Sequence, residues 1–122
     1  MDKETPPILS VSQLTNAIKI NLETTFPLIW VQGEISNSKL QSSGHYYFSL
    51  KDSGAQISAV MFKGDVSKLA VVPKDGDNVI VRGELNVYPA NGKYQIIVRE
   101  LRHVGLGELL LKQALWFAQK NN

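Results

Sequence analysis

From Leu28 onward, apolar and polar residues alternate with a period of two over five stretches, 28–39, 45–51, 56–63, 78–88 and 93–104. Before Leu28 the spacing is helical. Val11, Leu14, Ile18 and Leu22 stand three or four residues apart and predict a helix with one apolar face. Ser10 and Gln13 frame its start as a capping box, the hydroxyl and the amide each satisfying a free backbone donor. Phe26-Pro27 ends it, because the residue before a proline is pushed out of helical backbone. Residues 1–7 are polar and proline-rich and are expected to be disordered.

Turn signals separate the five strand-like stretches: Ser42-Ser43-Gly44, Asp52-Ser53-Gly54, Pro73-Lys74-Asp75-Gly76-Asp77 and Pro89-Ala90-Asn91-Gly92. The third connection is longer than a hairpin, and Val66, Leu69 and Ala70 give it a short helical turn. Three strands, a short helix and two more strands is the order of an OB-fold, a five-stranded Greek-key barrel that binds oligonucleotides. The expected fold class is therefore all-β with flanking helices. Gly33 and Gly83 sit in the middle of long apolar strands, where glycine weakens pairing unless a sharp bend or close backbone approach requires it. Beyond Val104, Gly105-Leu106-Gly107-Glu108 reads as a hinge. Leu109, Leu110, Leu111, Ala114, Leu115, Trp116 and Phe117 then predict a C-terminal helix that is apolar around most of its surface. Such a helix needs a cover, and self-association through it is one way to supply that.

Length and composition narrow the function. The 122 residues, 43% of them hydrophobic, suffice for one core and leave no room for a second, catalytic domain. A formal net charge of +2, from 13 basic and 11 acidic residues, is too mild to predict nucleic-acid binding by itself. Any binding surface must come from local arrangement. No apolar run approaches the roughly 20 residues of a membrane span, and the polar start lacks a signal-peptide core, so a cytoplasmic protein is expected. Without cysteine there are no disulfides or thiolate metal sites.

No catalytic or metal constellation stands out, and no cofactor is expected. His45 and His103 lie in different strands without metal-ligand spacing, and Asp75 and Asp77 flank Gly76 as turn residues do. Gly105-Leu106-Gly107 lacks the residues that complete a phosphate-binding loop.

A binding face is better supported. Alternation puts Tyr46, Phe48 and Leu50 toward a core and His45, Tyr47, Ser49 and Lys51 on the opposite face. In the next strand Ile57, Ala59 and Met61 are the core set, leaving Gln56, Ser58 and Phe62 with the polar face. Tyr47 and Phe62 are candidates for stacking nucleobases, although an aromatic in a small barrel also serves as core. Lys39, Lys51, Lys63, Arg82, Lys93 and Arg99 together can follow a phosphate backbone, while each alone reads as a solvated charge. The hairpin from Tyr88 to Tyr94 is the connection that often clamps the ligand in this fold.

Several of these stretches carry a more specific likeness. Ser10-Val11-Ser12-Gln13-Leu14, Trp30-Val31-Gln32-Gly33-Glu34-Ile35-Ser36-Asn37, Ser43-Gly44-His45-Tyr46-Tyr47-Phe48-Ser49-Leu50-Lys51-Asp52, Met61-Phe62-Lys63 and Tyr94-Gln95-Ile96-Ile97-Val98 closely resemble the N-terminal domain of the exodeoxyribonuclease VII large-subunit family. The resemblance implies an OB-fold domain over 8–104 that binds single-stranded DNA. In that family a catalytic domain follows, then a long helical region that recruits small subunits. The holoenzyme degrades single strands from both ends to oligonucleotides. On this reading 105–122 is a hinge and helix leading to a catalytic domain that the chain lacks, and no catalytic residue is carried over. Two other classes stay open: a tRNA anticodon-binding OB-fold, whose aromatic and glutamine Tyr47 and Gln56 would match, and a protein-interaction module.

Overall fold

A computed structural model of the chain describes residues 5–105. The helix expected within 105–122, with the self-association assigned to it, lies outside the described residues, as does most of the 1–7 segment. A helix α1 (Val11–Thr25) precedes strands β1 (Ile29–Leu40), β2 (Tyr46–Lys51) and β3 (Gln56–Met61). A single turn α2 (Lys63–Val66), β4 (Asn78–Tyr88) and β5 (Lys93–His103) follow. The strands close into a barrel in the order β1-β2-β3-β5-β4, with β3 and β5 parallel and the other pairings antiparallel. The expected barrel and N-terminal helix are therefore present. Among the described residues no helix is long and apolar enough to cross a membrane.

The inward residues of alternate positions form the core: Ile35 from β1, Tyr46, Phe48 and Leu50 from β2, Ala59 and Met61 from β3, Val79 and Val81 from β4, and Ile96 and Val98 from β5. Val66 of α2 plugs one end. Tyr46 carries the one polar tip among the large core rings, and its hydroxyl donates to the Pro73 carbonyl at 2.7 Å, which satisfies it away from water. Burial pushes the Tyr46 phenol above its ordinary pKa.

Closure depends on glycine. A Cβ at Gly83 would lie 2.1 Å from the Ile97 carbonyl oxygen, and one at Gly33 would lie 2.8 Å from Leu50 Cγ. At Gly83 the obstacle is backbone, so no side chain can move aside. The β4–β5 register shifts at the same place: Arg82 faces Glu100 and Gly83 faces Val98, which leaves Arg99 as the extra residue of a bulge. Tighter local twist at a bulge is what lets a short sheet curl on itself.

The third strand ends two residues earlier than the alternation predicts. β3 stops at Met61, Phe62 is the N-cap of α2, and Lys63 is its first helical residue. β2 likewise begins at Tyr46, so His45 belongs to the turn. Hydrogen bonding explains both shifts. His45 Nδ1 accepts the Lys63 amide at 3.0 Å, and Phe62 C=O accepts the amides of Asp65 and Val66, which draws the chain out of the ladder into a helical turn.

The capping box forms as expected: Ser10 Oγ accepts the Gln13 amide at 3.1 Å and Gln13 Oε1 accepts the Ser10 amide at 2.9 Å. The apolar face of α1 is another matter. Of its four residues only Leu22 is half-buried, while Val11, Leu14 and Ile18 are exposed. The helix is held instead by polar contacts. The β1–β4 ladder ends at Ile29 opposite Gly83, so the last residues of β4 have no strand on that side. There the Val87 amide donates to Glu23 Oε2 at 3.1 Å, and the Val87 carbonyl accepts from Lys19 Nζ at 3.2 Å. Lys19 and Glu23 are themselves paired at 2.5 Å. Two side chains thus satisfy a strand edge that would otherwise be bare.

Gly83→Ala is expected to cost about 3 kcal/mol or more, since overpacking against immovable backbone lies at the upper end of that class. Gly64→Ala, where nothing lies within 4 Å, should change stability by less than about 1 kcal/mol. Urea unfolding of both variants checks the contrast. The Lys19 ammonium, and after it the Val87 amide, hold the Glu23 carboxyl below its ordinary pKa of 4.5. A depressed folded-state pKa stabilises fully above the unfolded value and is lost as pH falls through the folded one. The stability gap between wild type and Glu23→Gln should therefore be open at pH 7 and shrink below about pH 4, as paired unfolding curves would register.

Candidate functional site

The outward face of β2 and β3 is a set of cross-strand rows fixed by the ladder register. At one end the ring of His45 meets that of Phe62 edge-on, with centroids 5.3 Å apart. Next comes Tyr47 opposite Val60, then Ser49 opposite Ser58, then Lys51 opposite Gln56. The flanking strands extend the rows. Lys39 of β1 pairs with Tyr47, Ser36 with Ser49 and Glu34 with Lys51, while Gln95 of β5 pairs with Ser58 and Ile97 with Val60. Along β2 parity decides the exposure, with Tyr47 38% exposed between Tyr46 at 2% and Phe48 at 3%, whereas Val60 opposite Tyr47 is itself buried.

Lys39 reaches this face because of a bulge. From Ser36 to Lys39 takes three residues on β1 against two, Ser49 to Tyr47, on β2. The extra residue is accommodated where Asn37 adopts φ 49°, in the left-handed region that asparagine tolerates better than most. The Ser38 amide donates to Asp75 Oδ1 at 2.9 Å and pins the bulge. Ser38, through its hydroxyl and its amide, holds the Asp75 carboxyl below the usual carboxylate range. Asp77 accepts the Lys74 amide at 3.0 Å and faces His103 Nε2 at 3.0 Å, and its carboxyl is also held low, chiefly by the Lys74 amide. Both carboxylates of this turn are thus committed to positioning backbone and His103. Among the described residues no group of three or more His, Asp or Glu is placed to hold a metal.

The hairpin between β4 and β5 stands over the other end of the face. Tyr88, Asn91, Lys93, Tyr94 and Gln95 line a recess of about 240 Å³ together with Ser58 of β3. Gly92, with φ 68°, turns this hairpin, and Asn91 Oδ1 accepts the Lys93 amide at 2.9 Å.

The thirteen residues expected to form one site are divided by this arrangement. Lys39, Tyr47, Ser49, Lys51, Gln56 and Ser58 share the β2–β3 face, and Tyr88 and Lys93 overhang it. His45, Phe62 and Lys63 join it as the cluster at the start of α2, with one His45 nitrogen already occupied. Arg82 is not brought to it. In the closed order β4 adjoins only β1 and β5, so Arg82 lies on the opposite wall, 2.8 Å from Glu100 and opposite Trp30. The Arg82 guanidinium holds the Glu100 carboxyl below its ordinary range. Arg99, at the β5 bulge, pairs with Glu84 at 2.6 Å and Asp65 at 3.7 Å. Of the remaining cations Lys51 lies 3.5 Å from Glu34, while Lys39, Lys63 and Lys93 make no ion pair among the described residues. Sequence reasoning missed Ser36, Gln95 and Asn86. Alternation in the fourth and fifth strands, applied as it was to the second and third, would have placed Gln95 and Asn86 outward.

The family of OB-fold nucleic acid binding domains matches residues 9–102 of this chain. Curated relatives include the exodeoxyribonuclease 7 large subunits of Geotalea daltonii, 49% identical over 85% of this chain, and Neisseria gonorrhoeae, 48% identical over 84%. The chain spans 23% of the length of each. Similar solved structures include the S. pombe Stn1-Ten1 complex, with TM-score 0.56 and 22% identity over 77% of this chain and 71% of that one. A replication protein A heterotrimer bound to single-stranded DNA gives TM-score 0.55 and 17% identity over 72% and 66%. The asparaginyl-tRNA synthetase of Entamoeba histolytica gives 0.56 and 17% over 64% and 20%. At these identities the structures speak for the barrel alone.

The parity of β2 has a direct check. Phe48→Ala opens a core cavity and should cost about 3 to 5 kcal/mol, whereas Tyr47→Ala should cost about 1 kcal/mol or less, as thermal or urea melts of the two variants would measure.

Proposed function

Because the chain belongs to the OB-fold nucleic acid binding domain family, we propose that it binds single-stranded DNA as the strand-holding module of an exodeoxyribonuclease VII large subunit. The observation that carries this reading is the composition of the β2–β3 face. An exposed tyrosine, the His45–Phe62 pair, a row of hydroxyls and amides, and Lys39, Lys63 and Lys93, which make no ion pair among the described residues, stand together on a wall of the barrel. Rings of this kind stack on bases of any identity, and amines that no carboxylate neutralises attract phosphates. A convex sheet face with hairpins at its ends suits a flexible single strand better than a duplex groove, which takes a helix or a narrow ribbon.

Hydrolysis on this reading belongs to the portion of the relatives that the chain does not span. Recruitment of small subunits belongs there too. The chain itself holds the strand without cutting it, in the cytoplasm, and directs it to the catalytic portion. Anticodon binding is the competing reading, favoured by Tyr47 and Gln56 lying on one β2–β3 face, and the same assay separates it.

Fluorescence anisotropy of a labelled single strand is the test. Binding should exceed that of duplex of the same length and weaken with salt. The slope of log K against log salt should be about −2 to −3, since three or four phosphate contacts each contribute about −0.7. Tyr47→Ala should lose about 1 to 3 kcal/mol of binding. Equal affinity for duplex, or a tighter grip on tRNA than on a DNA strand, would overturn the proposal.

A further inference from the structure

The wall formed by β1, β4 and β5 carries an apolar groove. Val79 and Val81 of β4 belong to the core, so parity turns Ile80 outward, as it does Trp30 of β1 between the core-packed Ile29 and Val31. Ile80 is nevertheless only 7% exposed, and it stands apart from the core cluster. It lines, with Met61, Leu69, Leu101 and Trp30, a groove of about 280 Å³. Trp30, 61% exposed, is the apolar residue of the groove most open to water.

The charges around this groove are committed to one another. Asp65 pairs with Lys68 at 3.5 Å and with Arg99 at 3.7 Å, and Glu100 pairs with Arg82 at 2.8 Å. A rim paired in this way offers little attraction to a phosphate chain, and what it leaves uncovered is apolar area, the mark of a surface that takes an apolar partner.

The chain supplies a fitting occupant. β5 ends at His103, next to Arg102 of the groove, and the Val104 amide donates to the Asn78 carbonyl at 2.9 Å, so the chain leaves the barrel at this wall. The residues that follow include Leu106, Leu109, Leu110, Leu111, Leu115 and Phe117, and only Glu108 and Lys112 are charged between 106 and 117. Leu109 follows Arg102 by seven residues, a reach of up to about 24 Å, and Gly105 and Gly107 give the backbone the freedom to reverse onto the wall. A tether this short holds its segment at an effective concentration on the order of millimolar, which favours it over the same segment of a second copy.

We propose that segment 106–117 folds back over this groove within one chain and covers Trp30. The inference does not use the single-strand reading. It puts the continuation of the chain on the wall away from β2 and leaves the β2–β3 face open.

Trp116→Phe makes Trp30 the sole tryptophan and therefore the reporter. In that 122-residue protein Trp30 should emit to the blue of the same protein carrying Leu110→Glu and Leu111→Glu as well. Acrylamide should quench it about 2-fold less, as covering much of a tryptophan's surface requires. Neither difference should depend on protein concentration. Because the chain has no cysteine, Lys68→Cys with Lys112→Cys gives a second reading that leaves the apolar residues in place. A flexible bis-maleimide should join the two within one chain, giving a monomer that carries one linker by mass. Unchanged Trp30 emission and quenching in a folded Leu110→Glu, Leu111→Glu variant overturn the inference. Differences or cross-links that grow with concentration also overturn it, by assigning the groove to a second copy. If the glutamates prevent folding, the cross-link decides alone, and its absence within one chain overturns the inference.

Discussion

The fold turns on the passage of the β5 backbone against Gly83, where the Ile97 carbonyl occupies the space a side chain would need. Five strands make a tight barrel, and curvature must be concentrated somewhere. It is concentrated at the β4–β5 bulge, where Arg99 is expelled from the ladder and the sheet twists enough for β4 to return to β1. Without that return β1 and β4 would be edges, and the inward rows from Ile35 to Val98 would not share one core. The same displacement swings Arg99 toward Glu84 and Asp65, so a residue that alternation marks as a phosphate contact is spent within the protein.

A second consequence of closure is the short bare edge left at the end of β4. β1 begins too late to cover it, and α1 compensates with Lys19 and Glu23 on the two polar groups of Val87. This explains how a helix with no buried residue keeps a defined place. The cost of leaving a strand amide and carbonyl unpaired, about 1 to 3 kcal/mol, is comparable to what burying a leucine would have contributed. The helix position therefore depends on carboxylate charge in a way that a leucine-packed helix would not.

Sequence alternation located every strand to within two residues, and it told Tyr46 and Phe48 from Tyr47 correctly, because β2 is regular along its whole length and one of its faces is buried. It failed where the chain leaves regular backbone. The His45–Lys63 hydrogen bond and the α2 turn depend on a contact between residues 18 apart, which no local pattern encodes. The helical spacing of Val11, Leu14 and Ile18 is real, yet periodicity reports a face and not whether anything covers it. Single residues of the site were partly legible: the rows on β2 and β3 follow from parity, but the far placement of Arg82 follows only from strand order in the closed barrel, a property of topology.

That placement bears on how a chain of mild net charge can present a binding surface at all. Arg82 and Arg99 are neutralised by Glu100, Glu84 and Asp65 around β4, β5 and α2, while Lys39, Lys63 and Lys93 have no acidic partner among the described residues around the β2–β3 face. Arg82 and Arg99, of the residue type best suited to bidentate carboxylate pairing, are used within the fold, and the three cations left around the face are lysines. On the single-strand reading, flexible ammonium groups can follow a phosphate backbone without fixing its register, as binding that is indifferent to sequence requires.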